Sequence, residues 1–205
     1  MDCNSEPRCH SIIFILGPPG SGKGTLCKFA TDRLKTPDHR YLHLSVGDYL
    51  RELCDPAASC EVKGFNHDEI RENLQESKLL PADVLIPVLE HKINSTPKEK
   101  NVMTTWLIDG FPRNMETALA FEEKVDKPVK IIALNCKREI AQERFLGRSR
   151  EATDDVKRFD KRYGEYVENT KKIGDYYAGL TDTIYVNGDR GECLEKFMVV
   201  LRQGL

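Results

Sequence analysis

Hydrophobic residues in this chain fall into short continuous runs, separated by longer stretches where they recur every three or four positions. The first run, Ile12, Ile13, Phe14, Ile15 and Leu16, has no polar member, as expected of a strand covered on both faces of a parallel sheet. Four further runs predict strands at residues 41–44, 105–109, 129–135 and 183–187. Helical spacing resumes over 26–34. It recurs over 68–78, where Ile70 and Leu74 are four apart, and over 82–93, where Val84, Leu85, Val88 and Leu89 form a core stripe despite Pro87, which removes one helical donor. A helix carrying Arg144 and Arg148 follows residue 135. Another starts at Asp154, with Val156, Phe159, Tyr163 and Tyr166 on its apolar side and Arg158 and Arg162 on a different one. Residues 192–201 close the pattern with Leu194, Phe197, Met198 and Leu201 inward. Residues 55–65, containing Pro56 and Gly64, read as an irregular insertion, 94–101 as an exposed polar loop and 149–153 as a brief polar break. Strands alternating with helices predict an α/β fold of three layers around a five-stranded parallel sheet.

The glycines sharpen this picture. Gly17, Gly20, Gly22 and Gly24 interrupt the chain between the first strand and the first helix, with Lys23 among them. A strand, a glycine-rich turn with a lysine and a helix make a phosphate cradle. Backbone N–H groups close around phosphate oxygens, the helix N-terminus adds partial positive charge, and the lysine adds a full one. Gly17 and Gly22-Lys23 have P-loop spacing, with one departure: Gly24 separates Lys23 from Thr25, where the general pattern has Ser or Thr directly after Lys.

At 205 residues, 40% hydrophobic and 31% charged, the chain suits a single globular domain, and a net charge of −2 gives no general attraction to nucleic acid or membrane. Charge is unevenly spread. Residues 127–162 carry 11 Lys/Arg against 6 Asp/Glu, a local excess that suits anionic ligands. The seven cysteines have irregular spacing and no C-x-x-C pair, which predicts reduced thiols. Cys54, Cys60 and His67 lack a fourth partner for a metal, so incidental thiols are the better reading. Neither a secretory segment nor a membrane span is evident, and the expectation is a cytoplasmic protein, with the nucleus also open.

Further motifs give a family resemblance. The loop reads G-P-P-G-S-G-K-G-T from Gly17 to Thr25, and S-V-G-D-Y-L-R runs from Ser45 to Arg51. K-L-L-P then occupies 78–81, D-G-F-P-R 109–113, R-F-L-G-R 144–148, and K-R-Y-G-E-Y 161–166. Together they resemble the nucleoside monophosphate kinases, the family of adenylate and UMP/CMP kinases, and stand closer to the UMP/CMP branch. The resemblance implies one kinase domain over 1–205, with a core at 10–44, 81–147 and 159–205, an acceptor-binding segment at 45–80 and a short lid at 148–158. It implies ATP-binding roles for Gly17, Gly20, Ser21, Gly22, Lys23, Gly24, Thr25, Arg144, Arg148 and Gly188. Acceptor-binding roles fall to Ser45, Val46, Arg51, Lys78, Leu79, Leu80, Gly110, Phe111, Pro112, Arg113, Thr117 and Arg162. Lys23, Arg113, Arg148, Arg150 and Arg162 would be catalytic, with Mg²⁺ held by Thr25 and, through water, by Asp109.

Three positions depart from the family pattern. Val46 stands where adenylate kinases usually carry Thr and UMP/CMP kinases Ala, and an apolar side chain cannot bond adenine. Thr117 replaces the usual Gln or Asn. Ala152 occupies the place of a lid arginine, leaving Arg150 or Arg158 to reach the same phosphate. The implied activity is reversible transfer of the ATP γ-phosphoryl group to a nucleoside monophosphate, UMP or CMP in preference to AMP, by a monomer without nucleic-acid or membrane partners. The alternatives are an adenylate kinase, another P-loop small-molecule kinase, and a nucleotide-gated binding module without efficient transfer. In the kinase reading no general base is needed, because the acceptor's phosphate oxygen is already an anionic nucleophile. Alignment and charge neutralisation carry the reaction.

Overall fold

A computed structural model describes residues 10–55, 64–148 and 155–203. Its centre is a parallel five-stranded sheet in the order β2-β3-β1-β4-β5, formed by β1 (His10–Leu16), β2 (His39–Ser45), β3 (Met103–Asp109), β4 (Lys130–Asn135) and β5 (Thr181–Tyr185). β1 lies in the middle, with Ile13 opposite Leu107 on one side and Lys130 on the other. All five predicted strands are present. Their ends move by one or two residues, mostly because polar flanks such as His39, Thr104 and Thr181 extend the ladders beyond the apolar runs. Val129 was placed in the fourth strand but precedes β4 and is exposed, while Val186 and Asn187 follow β5.

The alternation of β1 divides the core. Ile12, Phe14 and Leu16 face one layer, with Trp106, Ile108, Phe111, Phe121 and Tyr177. Ile13 and Ile15 face the other, with Leu26, Ala30, Phe145, Phe159, Phe197 and Leu201. The first layer holds α2 (Val46–Leu53), α3 (His67–Gln75), α4 (Ala82–Ser95) and α5 (Met115–Lys124). The second holds α1 (Lys23–Arg33), α6 (Arg138–Gly147) and α8 (Arg190–Arg202). α7 (Val156–Tyr176) spans both, through Phe159 at one end and Ile173 at the other.

Several helical expectations need correction. α5 was not anticipated from spacing. Its start is fixed by Asn114, whose side chain accepts from the Thr117 N–H, and Ala118 and Phe121 are its buried face. Val156, expected on the apolar side of α7, is 47% exposed because it opens the helix, one turn before the core begins at Phe159. Pro87 does lie inside α4, on its solvent side, where the carbonyl it leaves unpaired can reach water. Most of the 55–65 insertion, all of the 149–153 break and Asp154 lie outside the described residues.

Phe14 binds the first core layer together. Its ring meets Phe111, Phe121 and Tyr177 edge-on at 5.2, 5.4 and 6.1 Å. Phe14→Ala is expected to remove about 3–5 kcal/mol of stability, read as a lower urea midpoint with an unchanged slope.

Candidate active site

The carboxyl ends of β1, β2 and β3 open on one side of the sheet, where ligands of open α/β sheets bind. There a cleft of about 790 Å³ lies over the P-loop. Gly22 caps α1 with φ +89°, a left-handed conformation that costs little without a Cβ, and no protein atom lies within 4 Å of where a Cβ would stand. That open space faces the N-terminus of α1. Gly20 has the opposite surroundings: its φ is +82°, and a Cβ would come 1.9 Å from the Ala141 carbonyl oxygen. Close packing against α6 therefore requires glycine.

Lys23 folds back onto its own loop. Its Nζ donates to the carbonyls of Gly17 at 2.8 Å and Pro18 at 2.9 Å, with Ser21 Oγ at 3.4 Å. Burial pushes its pKa down to about 8. Asp109 opposes that shift, while Arg162 and Arg113 add to it. Asp109 itself is 7% exposed at the end of β3, with Oδ2 3.3 Å from His43 Nε2. Thr25 lines the same cleft.

Each of the other cations has its own tether. Arg51 Nη2 donates to Asp48 Oδ1 at 2.6 Å, and Arg113 Nε donates to the Gly110 carbonyl at 3.2 Å. The guanidiniums of Arg148 and Arg162 lie 4.0 and 5.7 Å from the centre of the buried Phe145 ring, a cation–π arrangement. Arg144 donates to the carbonyls of Val186 and Gly188, both at 2.7 Å, and so ties α6 to the loop after β5. Burial holds the Arg162 pKa well below its usual value, reinforced by the charges of Arg113, Arg148 and Arg158. Arg113 is shifted the same way by burial, against the charge of Glu165. The cleft thus concentrates cations close together in a poorly hydrated space, which suits a polyanion.

A smaller cavity of about 80 Å³ adjoins the cleft. Val46, Leu80, Lys78 and Thr117 line it alone, while Leu79, Gly110, Phe111, Arg51, Arg113 and Arg162 line both spaces. Ser45 and Pro112 belong to the larger cleft, as do Gly17, Ser21, Gly24 and Gly188. The Phe111–Pro112 peptide is cis. The structure therefore gathers every site residue expected from sequence except Arg150, which lies outside the described residues, as does Ala152.

Sequence reasoning missed several neighbours of the site. His43 has a legible signal, since strand alternation puts it on the same face as Ser45, whose register partner is Asp109. Glu165, Tyr166 and Cys193 also line the cleft. Their approach depends on how α7 and α8 cross the sheet, which spacing does not encode. The Cys54 thiol donates to the His67 carbonyl at 3.6 Å, and His67 Nδ1 bonds the Leu53 carbonyl oxygen at 2.9 Å, so both act within the protein framework.

Comparison with known proteins gives one family. Its sequence model, described as adenylate kinase, matches residues 15–181. UMP-CMP kinase 3 of Arabidopsis thaliana is 33% identical over 85% of this chain and 79% of its own. A uridylate kinase of Saccharomyces cerevisiae is 30% identical over 90% of this chain and 86% of its own. An adenylate kinase of Nautilia profundicola is 31% identical over 87% and 88% respectively. A P-loop over a parallel 2-3-1-4-5 sheet, an arginine-lined cleft and matches over most of its length make this chain a member of the adenylate kinase family of ATP-dependent nucleoside monophosphate kinases.

Proposed function

We propose that the acceptor is a pyrimidine nucleoside monophosphate, UMP or CMP, and that the protein acts as a cytoplasmic monomer with MgATP as donor. The observation carrying this reading is the smaller cavity. Val46 offers it no hydrogen bond, and the Thr117 hydroxyl proton is committed to Asn114 Oδ1 at 2.7 Å. Val46 stands where adenylate kinases usually carry Thr, so adenine's amino edge loses that hydrogen bond.

In this reading the P-loop amides and Lys23 hold the donor phosphates, while Arg51 and Arg113 hold the acceptor phosphate. An acceptor phosphate oxygen attacks the γ-phosphorus as the bond to the bridging oxygen of ADP breaks, and no proton needs to be abstracted. Arg148 and Arg162 neutralise charge spreading over the transferring group, with Arg150 as a further candidate. Residues 148–158 close as the lid and 45–80 as the acceptor segment, excluding water that would otherwise hydrolyse ATP. Mg²⁺ fits the residues present: one carboxylate, Asp109, held by His43, and one hydroxyl, Thr25, suit an octahedral ion that keeps water and phosphate oxygens. When bound it neutralises phosphate charge.

ADP release from MgATP, measured with UMP, CMP, AMP or no acceptor, tests the reading. Turnover with UMP or CMP well above AMP is expected. AMP alone as acceptor would make the protein an adenylate kinase, and ATP binding without acceptor-dependent turnover would make it a binding module. Arg113→Ala is expected to lower kcat/KM at least a hundredfold, about 2.7 kcal/mol of transition-state stabilisation, with thermal unfolding nearly unchanged.

Lys23 gives a pH dependence. Its depressed pKa, about 8, means that the free protein begins to lose this charge above neutrality, whereas bound phosphate favours the charged form. ATP affinity should therefore hold below pH 8 and fall as pH rises through it, with one proton taken up on binding there. Calorimetric titration between pH 7 and 9 in buffers of different ionisation heat reads both effects, and Lys23→Met should abolish the step.

A further inference from the structure

We propose that Lys161 is a positioning residue for the acceptor: it fastens α7 to the turn that ends α3, and so holds the strap of residues 77–81 over the smaller cavity. The proposal rests on the placement of the acceptor at that cavity, made above.

The end of α3 is built to take a donor from elsewhere. Ser77 is left-handed, with φ +53°. Lys78 N donates to the Asn73 carbonyl at 2.8 Å and Ser77 N to that of Leu74 at 3.2 Å. This is a Schellman ending, which satisfies carbonyls of the last turn and leaves that of Glu76 for an outside partner. α3 also has no basic residue in its last turn, so nothing within it complements the negative end of its dipole. α7 meets both needs: Lys161 Nζ donates to the Glu76 carbonyl at 2.7 Å. The ammonium of Lys78 pairs with the Glu76 carboxylate, so the two lysines divide the acceptors of Glu76 between them.

This contact joins two sides of the acceptor site that lie 85 residues apart in sequence. Arg162, the next residue along α7, lines both the cleft and the smaller cavity, while Ser77, Lys78 and Leu79 line that cavity from the strap. At its other end the strap runs into α4, where the Ala82 N–H donates to Glu116 Oε1 of α5 at 3.3 Å. The strap is thus held by α7 at one end and by α5 at the other, with Leu80 buried between them. A hydrogen bond made by an exposed lysine is weak, worth a small factor in an equilibrium. That weakness suits a pocket that must open to admit each acceptor and then close on it. Losing the contact lowers the fraction of molecules with the strap in place, and acceptor affinity falls by the same factor.

Lys161→Met and Lys161→Arg in the full-length protein test this with two readouts. Calorimetry gives Kd for UMP, CMP, AMP and, separately, ATP, and amide hydrogen exchange followed by NMR reads the strap without any substrate. Lys161→Met should weaken binding of the monophosphate acceptor, and raise its KM, about fivefold, leaving kcat and ATP affinity unchanged. It should also speed exchange at the Ser77 and Lys78 amides, with exchange in β1 and thermal unfolding unaltered. Lys161→Arg, which keeps a donor of similar reach, should restore both properties. Weaker acceptor binding with unchanged exchange would make Lys161 a direct contact of the acceptor and overturn the proposal. An equal loss of ATP affinity, or a matching loss of thermal stability, would overturn it as well. Faster exchange with unchanged acceptor affinity would overturn it and remove the acceptor from this cavity. If the wild-type protein binds none of the three monophosphates, the reading above fails and this proposal with it, whatever the exchange shows.

Discussion

Mutual repulsion among cations shapes the functional end of this molecule. The charges of Arg162 and Arg113 disfavour the charged form of Lys23, and those of Arg113, Arg148, Arg158 and Arg51 disfavour that of Arg162. Protein walls have removed much of the water that would screen them. At an effective dielectric of about 20, two unit charges 4 Å apart repel by about 4 kcal/mol. The ligand-free protein offsets this with small local tethers: three oxygens of the P-loop for Lys23, Asp48 for Arg51, the Gly110 carbonyl for Arg113, and the Phe145 ring for Arg148 and Arg162. Each tether is weaker than a contact to a phosphate dianion, so a ligand can displace it. The electrostatic tension that makes the free site costly is the same property that binds the substrate.

The sheet makes this arrangement sustainable. Buried strands whose apolar residues face two layers cannot shift register without turning both sets of side chains the wrong way, so β1, β2 and β3 deliver Gly17, Ser45 and Asp109 to one edge. α6 packs on the P-loop so closely that Gly20 has no room for a Cβ against Ala141. Three residues after Ala141, Arg144 bonds the loop that follows β5. The phosphate cradle and the arginine-bearing helix are thereby coupled through a close backbone contact, and that helix and the loop through the Arg144 side chain.

Legibility in the sequence followed the range of the interaction. The five strands and the P-loop are local patterns, and Ile12 to Leu16 followed by four glycines could hardly have specified anything else. D-G-F-P-R was legible as a motif, and Asp109 and Arg113 do enter the cleft. α5 was missed because Met115 to Lys124 has only a narrow buried stripe, and its real start signal is the Asn114 cap. Val156 was misplaced because hydrophobicity says nothing of where along a helix the core begins. His43 against Asp109 needed strand register, and Glu165 and Tyr166 needed the path of α7 over the sheet. Those are tertiary facts.

The acceptor side shows why residue identity alone is a poor guide to recognition. From the sequence, Thr117 was non-committal between the family's usual Gln and Asn, and Asn114 was a residue that UMP/CMP kinases also carry after the arginine of D-G-F-P-R. The capping geometry of α5 commits the hydroxyl proton of one residue and the oxygen of the other to each other. Folding the helix thus sets the polarity that both present to the cavity. In the proposed reading, a base meets what remains after the protein has satisfied itself. The remainder is fixed by the stability of an ordinary helix cap, so specificity here can be no more plastic than the N-terminus of α5.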